Sequence, residues 1–210
     1  MTLKLVLISD THNLHRQLKI PEGDILIHAG DITRRGDIAD LRDFNEFMGT
    51  LPHPYKIVIA GNHDFCLERE AQKSEAVLTH CTYLRDQSLS VAGIKFYGSP
   101  WQPWFYNWAF NLRRGPAIKA KWDLIPPDTN VLITHGPPLG YGDQTFLQRQ
   151  VGCEDLLNAI RIIKPRLHVF GHIHEAAGVS SNEHTTFVNA SSCNLAYQPI
   201  QPPIIFEYVQ

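Results

Sequence analysis

The sequence predicts an α/β sandwich of three or four layers, and three observations carry that expectation. In the first half, short apolar runs of the buried-strand type alternate with helical stripes, the pattern of a parallel sheet with right-handed crossovers. The tail turns to β-type runs again. Five of the apolar runs are each followed by a short polar cluster: Asp10-Thr11-His12, Gly30-Asp31, Gly61-Asn62-His63-Asp64, His135-Gly136 and Gly171-His172-Ile173-His174. Open α/β sheets collect their functional groups at such strand ends.

Taken in order, Leu3 to Ser9, Ile25 to His28 and Ile57 to Ala60 read as buried strands. Between the last two, Ile38, Leu41, Phe44 and Met48 recur at helical spacing, with Asp37 as N-cap and Gly49 near the end. Glu68 to Thr79 reads as a second helix and Val91 to Tyr97 as one strand. An aromatic-rich segment, Ser99 to Leu112, follows. A helix starting at Gly115-Pro116 runs to about Leu124, because proline is tolerated in a first turn, and Pro126-Pro127 breaks it. Val131 to Thr134 is a strand, Leu156, Leu157, Ile160 and Ile163 form a helical stripe ended by Pro165, and Leu167 to Phe170 is the next strand. Thr186 to Ala190 and Ile204 to Val209 are β runs on either side of a proline-rich turn at Pro199 to Pro203. No repeat or linker divides the chain, so residues 1–210 are expected to form one domain.

Composition narrows the function. A net charge of -2 with scattered cations gives no footprint for long nucleic acids or membrane surfaces. No apolar stretch approaches the roughly 20 residues that span a bilayer. The first strand begins at Leu3, leaving no room for a signal peptide, and Cys66, Cys81, Cys153 and Cys193 form no Cys-x-x-Cys pair. Free thiols and a cytoplasmic location are expected. The unusual count is histidine, at eleven, and His12, His63, His135, His172 and His174 all lie in the polar clusters.

Taken singly, a histidine beside glycine is more often a loop residue than a ligand, and an aspartate after a strand is usually a turn former. The coincidence of Asp10, His12, Asp31, Asn62, His135, His172 and His174 with five strand ends favours a shared site for two divalent cations. Asp10 and His12, two apart, face one side where strand geometry persists. Asp31 has two oxygens with which to bridge two ions, and Gly30 before it permits a tight turn and a close approach. Asn62 offers a neutral amide oxygen that limits negative charge.

The motif order Asp-x-His, Gly-Asp, Gly-Asn-His-Asp, His-Gly and Gly-His-x-His resembles the calcineurin-like metallophosphoesterase superfamily over essentially the whole chain. Thr134-His135-Gly136-Pro137-Pro138, Gly98-Ser99-Pro100-Trp101-Gln102-Pro103 and Val169-Phe170-Gly171-His172-Ile173-His174 resemble its metallophosphoesterase-domain-containing branch, which includes class III cyclic nucleotide phosphodiesterase-like proteins. The resemblance implies a four-layer αββα sandwich, two mixed sheets flanked by helices, with the metal site at the carboxyl ends of strands. It implies Asp10, His12, Asp31 and His174 around one metal and Asp31, Asn62, His135 and His172 around the other. It implies His63 as catalytic acid beside the leaving group, with Asp64 orienting it and favouring its protonated form. The implied reaction is in-line attack on a phosphodiester by a hydroxide bridging the metals. Cyclic nucleotides and small aryl diesters are the candidate substrates. Manganese is the expected ion, with iron and zinc also suited to these ligands.

Other residues are candidates around the site. Arg35, in Gly30-Asp31-Ile32-Thr33-Arg34-Arg35-Gly36, is a candidate phosphate clamp. The protein serine/threonine phosphatases carry an aspartate at the place of Arg34 and a glutamate at that of Asp64, which argues against close kinship with them. Asn13, His15 and Trp101 are candidate substrate contacts, and the cluster Trp101, Trp104, Phe105, Trp108 and Phe110 reads either as an aromatic wall or as a loop packed on the core. His28 and His168 lie inside strands and read as core residues. The alternatives in function are a phosphomonoesterase or protein phosphatase, a nuclease, and a non-catalytic metal-binding scaffold.

Overall fold

A computed structural model describes the chain from Met1 to Gln210. The first half contains β1 (Thr2–Ile8), β2 (Ile25–His28), α1 (Ile38–Thr50), β3 (Tyr55–Val58), α2 (Phe65–Arg69), α3 (Ala71–Glu75) and β4 (Thr82–Tyr83). The second contains β5 (Gln87–Val91), β6 (Ile94–Ser99), the short pair β7 (Gln102–Pro103) and β8 (Asn111–Leu112), α4 (Pro116–Trp122), β9 (Val131–Thr134) and α5 (Glu154–Ile163). It closes with β10 (Leu167–Phe170), β11 (Gly178–Ser181), β12 (Thr186–Asn189) and β13 (Ile204–Val209).

Two mixed sheets result. The first has the order β13-β1-β2-β3-β4, parallel except for β13 at its edge. The second has the order β11-β12-β10-β9-β6-β5, with antiparallel strands at both edges and a parallel centre. The period of two along each strand sorts side chains between layers. Leu3, Leu5 and Leu7 meet Val131, Ile133, Leu167 and Val169 between the sheets. Val6 and Ile8 face outward onto Leu41, Phe44 and Met48 of α1, while Leu132 and Phe170 face Ile118, Trp122, Leu156 and Ile160 of α4 and α5. The order is therefore helix, sheet, sheet, helix. Truncating Phe96, fully buried between the sheets, to alanine would cost about 3–5 kcal/mol.

Three local expectations are corrected. The helix expected over Glu68 to Thr79 breaks at Glu70 (φ -123°), where the buried Ser74 hydroxyl donates to the Cys66 carbonyl and ends α2. The single strand expected from Val91 to Tyr97 is a hairpin. Ala92 and Gly93, both at positive φ, make its two-residue turn, and Val91 pairs with Ile94. The third strand lies two residues earlier than expected, at Tyr55–Val58, so a short extension precedes Gly61. Asp37 caps α1 as expected, its carboxylate accepting from the Ala39 amide.

The two sheets are joined at their carboxyl ends. Ser9, just after β1, bridges Ser191, just after β12, and the Ser192 amide donates to the Ser9 carbonyl at 2.8 Å. Every polar cluster sits along this seam.

Candidate metal centre

The strands deliver their polar residues by turning abruptly. Asp10, His12, Asp31 and His172 all have positive φ, between 43° and 71°. For residues with a Cβ this backbone costs about 1–2 kcal/mol each, so surrounding bonds must hold it. Asp10 and His12 are pinned by their amides, which donate to the Gly30 and Asp31 carbonyls. Gly171 is required here, because a Cβ there would collide with the Asp10 carboxylate and Ser9 Oγ. At Gly30 (φ 101°) a Cβ would lie 2.6 Å from His135 Nδ1, which accounts for the close approach expected of that glycine.

Buried histidines inside the strands hold the same turns. The Gly30 amide donates to His28 Nδ1, so His28 Nε2 carries the proton and donates to Thr11 Oγ at 2.9 Å. In the other sheet the Thr134 hydroxyl donates to the Gly136 carbonyl, so His168 Nε2–H donates to Thr134 Oγ at 2.8 Å. Burial lowers both imidazoles to about 3, keeping them neutral. These are the core histidines the sequence suggested, each one bond from a residue that flanks a donor.

The donor atoms converge in two groups. In one, His174 Nε2 lies 3.2 Å from Asp10 Oδ1 and 3.3 Å from His12 Nε2. In the other, Asn62 Oδ1 lies 2.9 Å from His135 Nε2 and 2.8 Å from His172 Nδ1. Asp31 Oδ2 stands between them, 3.8 Å from His12 Nε2 and 3.4 Å from His135 Nε2. Ligands about 2.0–2.2 Å from a common ion sit roughly 3–3.5 Å from one another, close to these separations.

The outer bonds aim the rings. His135 Nδ1–H donates to the Ala29 carbonyl and His174 Nδ1–H to the Asn194 carbonyl, each at 3.0 Å, so Nε2 of both rings faces the site. Such carbonyl contacts fix tautomer and orientation around metals. Asp10 Oδ2 accepts from Ser191 Oγ at 2.9 Å, and Asp31 Oδ1 accepts from the His63 amide at 2.8 Å, so the other oxygen of each carboxylate faces the donors. On the second side, Asn62 Oδ1, His135 Nε2 and His172 Nδ1 converge on one point. A cation bound there would take the place of the proton on His135 Nε2.

Charge follows the same division. Burial opposes protonation of His135, but the charge and hydrogen bond of Asp31 outweigh it and raise the imidazole to about 9. Burial likewise opposes His174, and Asp10 raises it to about 9. His12 and His172 go down to about 4 and about 3, chiefly through burial. Burial also resists ionisation of Asp10 and Asp31, yet the neighbouring imidazoles, led by His174 and His135, hold both well below the ordinary carboxylate range. The site thus holds two carboxylates, two imidazoliums and three neutral donors, with protons where cations fit.

His63 lies beside the first group, its ligand atom within 4.8 Å of those of His12 and Asp31, but it is held from the other side of the cavity. Its Nδ1–H donates to the Arg34 carbonyl at 2.8 Å, its ring stacks on Trp108 at 4.3 Å, and Nε2 points inward, 3.9 Å from Asp31 Oδ2. Asp64 does not touch the His63 ring, contrary to the expectation that it orients His63 directly. Its buried carboxylate accepts from the amides of Thr33, Gly61 and Ile32 and from Thr33 Oγ, tying the Asp31 turn to the Asn62 turn. Burial, with the nearby Asp31, raises this carboxyl to about 6. Asp64 acts on His63 through the backbone it fixes.

The sequence pattern of calcineurin-like phosphoesterases matches residues 3–176. This chain belongs to the calcineurin-like phosphoesterase family. It is 46% identical, over 97% of its length and 70% of theirs, to metallophosphoesterase domain-containing protein 1 of Homo sapiens and of Mus musculus. Among solved structures it is similar to TT1561 of Thermus thermophilus, with a TM-score of 0.62 at 14% identity over 98% of this chain and 99% of that one. That likeness bears on the fold. Phosphoric ester hydrolysis with divalent metal ions is the chemistry of this family.

Around the donors of this phosphoesterase lies a cavity of about 170 Å³, lined by Asp31, Asn62, His63, His172 and His174 on one side and by Phe105, Trp108, Leu195 and Tyr197 on the other. The aromatic segment is thus divided. Phe105 and Trp108 line the cavity, Phe110 is fully buried, and Trp101 is turned away from it. Trp101 Nε1–H donates to Asp86 at 2.9 Å, and its ring packs between Phe110 and Lys121. The expectation that Trp101 touches substrate is corrected on that ground. His15 is buried against Phe44 and Phe47 with Nε2 on Asp43, and the Asn13 amide donates to Asp40; both brace α1 rather than the cavity. Arg35 is exposed and absent from the cavity wall; it lines the neighbouring cleft.

Sequence reasoning missed Leu195 and Tyr197. The Tyr197 ring packs edge-on against His12 at 4.8 Å. Both lie in the turn before the last strand, where no periodicity or motif marks a residue, and only the return of that loop over the seam brings them in. No helix is long and apolar enough to cross a membrane.

Proposed function

We propose that this protein is a dimetal phosphodiesterase. Asp10, His12, Asp31 and His174 would hold one divalent ion, and Asp31, Asn62, His135 and His172 the other. The observation that supports a pair is the position of Asp31 Oδ2 between two separate donor groups. Two such ions, when bound, supply Lewis acidity and lower the pKa of water. Two carboxylates among the donors leave positive charge from two dications unneutralised, which suits an anionic ester.

The chain's own residues supply the rest. His63, with Nδ1–H held by the Arg34 carbonyl, keeps Nε2 free to give a proton to the departing alkoxide. Stacking on Trp108 limits its rotation. Asp64 keeps the Asp31 and Asn62 turns in register.

A diester is favoured over a monoester because two further cavities flank the centre. One, about 400 Å³, shares Phe105, His172 and Leu195 with the donor cavity, and the other, about 790 Å³, shares Phe105 and Trp108. A diester has two organic arms to place and a monoester one. Free, unpaired cysteines agree with a cytoplasmic location. Manganese is the first ion to test.

One panel tests the reading: manganese-loaded protein against cyclic nucleotides, p-nitrophenyl monoester and diester, and a phosphopeptide. Diester hydrolysis is expected to exceed monoester and phosphopeptide hydrolysis. Turnover of the phosphopeptide alone would establish a protein phosphatase instead, and no turnover by fully loaded protein would establish a binding role.

A further inference from the structure

We infer that the larger flanking cavity binds a second anionic group carried by the substrate, on the arm that lies against Trp108. The inference rests on the phosphodiester reading and adds the chemistry of one arm. The cavity is walled by Arg35, Arg69, Phe65, Tyr106 and Trp108, and it opens directly beside the donors through Trp108 and Phe105. No carboxylate lines it.

The two guanidiniums are uncommitted, as are those of Arg34, Arg42, Arg113 and Arg149, but of these only Arg35 and Arg69 line this cleft, and other arginines are engaged elsewhere. Arg16 pairs with Asp43, Arg85 donates to the Leu67 carbonyl, and Arg114 donates to the Val151 and Gly152 carbonyls. Arg35 and Arg69 make no hydrogen bond or ion pair with the protein. Arg69 lies over the Phe65 ring at 4.5 Å, which steadies its head and leaves its N–H fork available. The main chain carrying Arg35 is fixed on both sides: the Arg34 carbonyl accepts from His63, and the Gly36 amide donates to Thr33 Oγ at 2.9 Å. Two guanidinium forks on a fixed wall are suited to a phosphate, which each can contact through paired N–H donors.

The rings define what precedes that phosphate. Trp108 stacks on both His63 and Phe65, so its indole joins the proton donor to the arginine cleft. A planar group attached to the scissile phosphorus has an aromatic wall to lie on before the second anion reaches Arg35 and Arg69. The opposite cavity differs: Pro103, Trp104, Pro137 and Leu195 line it, its Arg114 is already bonded to carbonyls, and it contains Glu175. One arm is therefore anionic and the other is not. The class of substrate is a phosphodiester of a planar, nucleoside-like group that bears a second phosphate.

A matched pair tests this. Thymidine 5′-(methyl phosphate) is compared with the same ester carrying a 3′-phosphate, using manganese-loaded protein and following release of the thymidine or thymidine 3′-phosphate alcohol by chromatography. We expect kcat/KM to be about tenfold higher with the 3′-phosphate. In Arg35→Ala/Arg69→Ala the ratio should fall to near one, and in Arg35→Lys/Arg69→Lys a part of it should return. Equal kcat/KM in the wild type, or a preference that survives the double alanine variant, overturns the inference. Cleavage of neither ester would count against the phosphodiester reading alone. In that case equilibrium binding decides the cleft: thymidine 3′,5′-bisphosphate should bind wild type about tenfold more tightly than thymidine 5′-phosphate, and equal binding refutes it.

Discussion

The two sheets meet in one centre but contribute opposite kinds of group. The turns after β1, β2 and β3 bring both carboxylates, the amide of Asn62, His12 and His63. The turns after β9 and β10 bring three imidazoles and no carboxylate at all. The two charged pairs, Asp31 with His135 and Asp10 with His174, therefore cross from one sheet to the other. Below the seam the sheets are held by apolar packing that any complementary sandwich would show. At the seam they are held by groups whose charges balance only across the gap. The difference teaches that the paired site is a property of the junction: the first sheet's turns alone gather the triad His12, Asp31 and His63, but the full set of donors needs both sheets.

The largest effect expected is at the residue shared by both groups. Asp31→Asn should abolish tight binding of both ions and reduce hydrolysis by about three orders of magnitude, since Lewis-acid stabilisation is worth several kcal/mol. Metal analysis after dialysis checks it, and two ions retained per chain would break the picture of a shared donor. Next comes His63, which belongs to one sheet and is proposed as the proton donor rather than a metal ligand. His63→Ala should keep both ions yet lose about 10²–10⁴-fold on esters with poor leaving groups. The loss should shrink for a p-nitrophenyl leaving group, which needs no proton.

A pH dependence follows from the crossed pairs. His135 and His174, raised to about 9, hold protons at neutral pH when no metal is bound. A metal must displace both, so affinity should rise with pH up to about 9 and level off above it, with about two protons released near pH 7. Calorimetry in buffers of different ionisation enthalpy counts them, and zero release would contradict the charge assignment. In the metal-free protein the same shifts stabilise the fold below pH 6.5, and that contribution is lost as pH rises through about 9.

The smallest effect sharpens the likeness between the halves. His168→Leu leaves Thr134 Oγ without its donor and should cost about 1 kcal/mol in stability, measured by urea unfolding. It should also reduce metal affinity modestly, because Thr134 precedes His135.

The seam was largely legible in the sequence because its strands are short, continuously apolar and each closed by a polar cluster. Ile25–His28, Val131–Thr134, Leu167–Phe170 and Ile204–Val209 have the bounds their residues suggested. What escaped did so for identifiable reasons. The Ala92-Gly93 turn was hidden because alanine seldom takes positive φ, so Val91 and Ile94 read as one run. The α2 and α3 pair was hidden because a serine hydroxyl, Ser74, ends a helix that pattern alone would continue. Asp64 sits where a partner for His63 was expected, yet its four bonds go to backbone and Thr33, a choice set by how two turns meet. Trp101 and Trp108 were indistinguishable as letters, and only packing sent one to Asp86 and the other to His63. Tyr197 carried no signal, since its loop reaches the centre only after the sandwich closes.

The central claim is that the junction of the two sheets holds a pair of cations in contact through Asp31. Electron paramagnetic resonance of the protein loaded with manganese tests it most directly. The account predicts two ions per chain and the spectrum of an exchange-coupled pair, replaced in Asp31→Asn by loss of the coupling. One ion per chain, or two giving the spectrum of isolated manganese in the wild type, would contradict it.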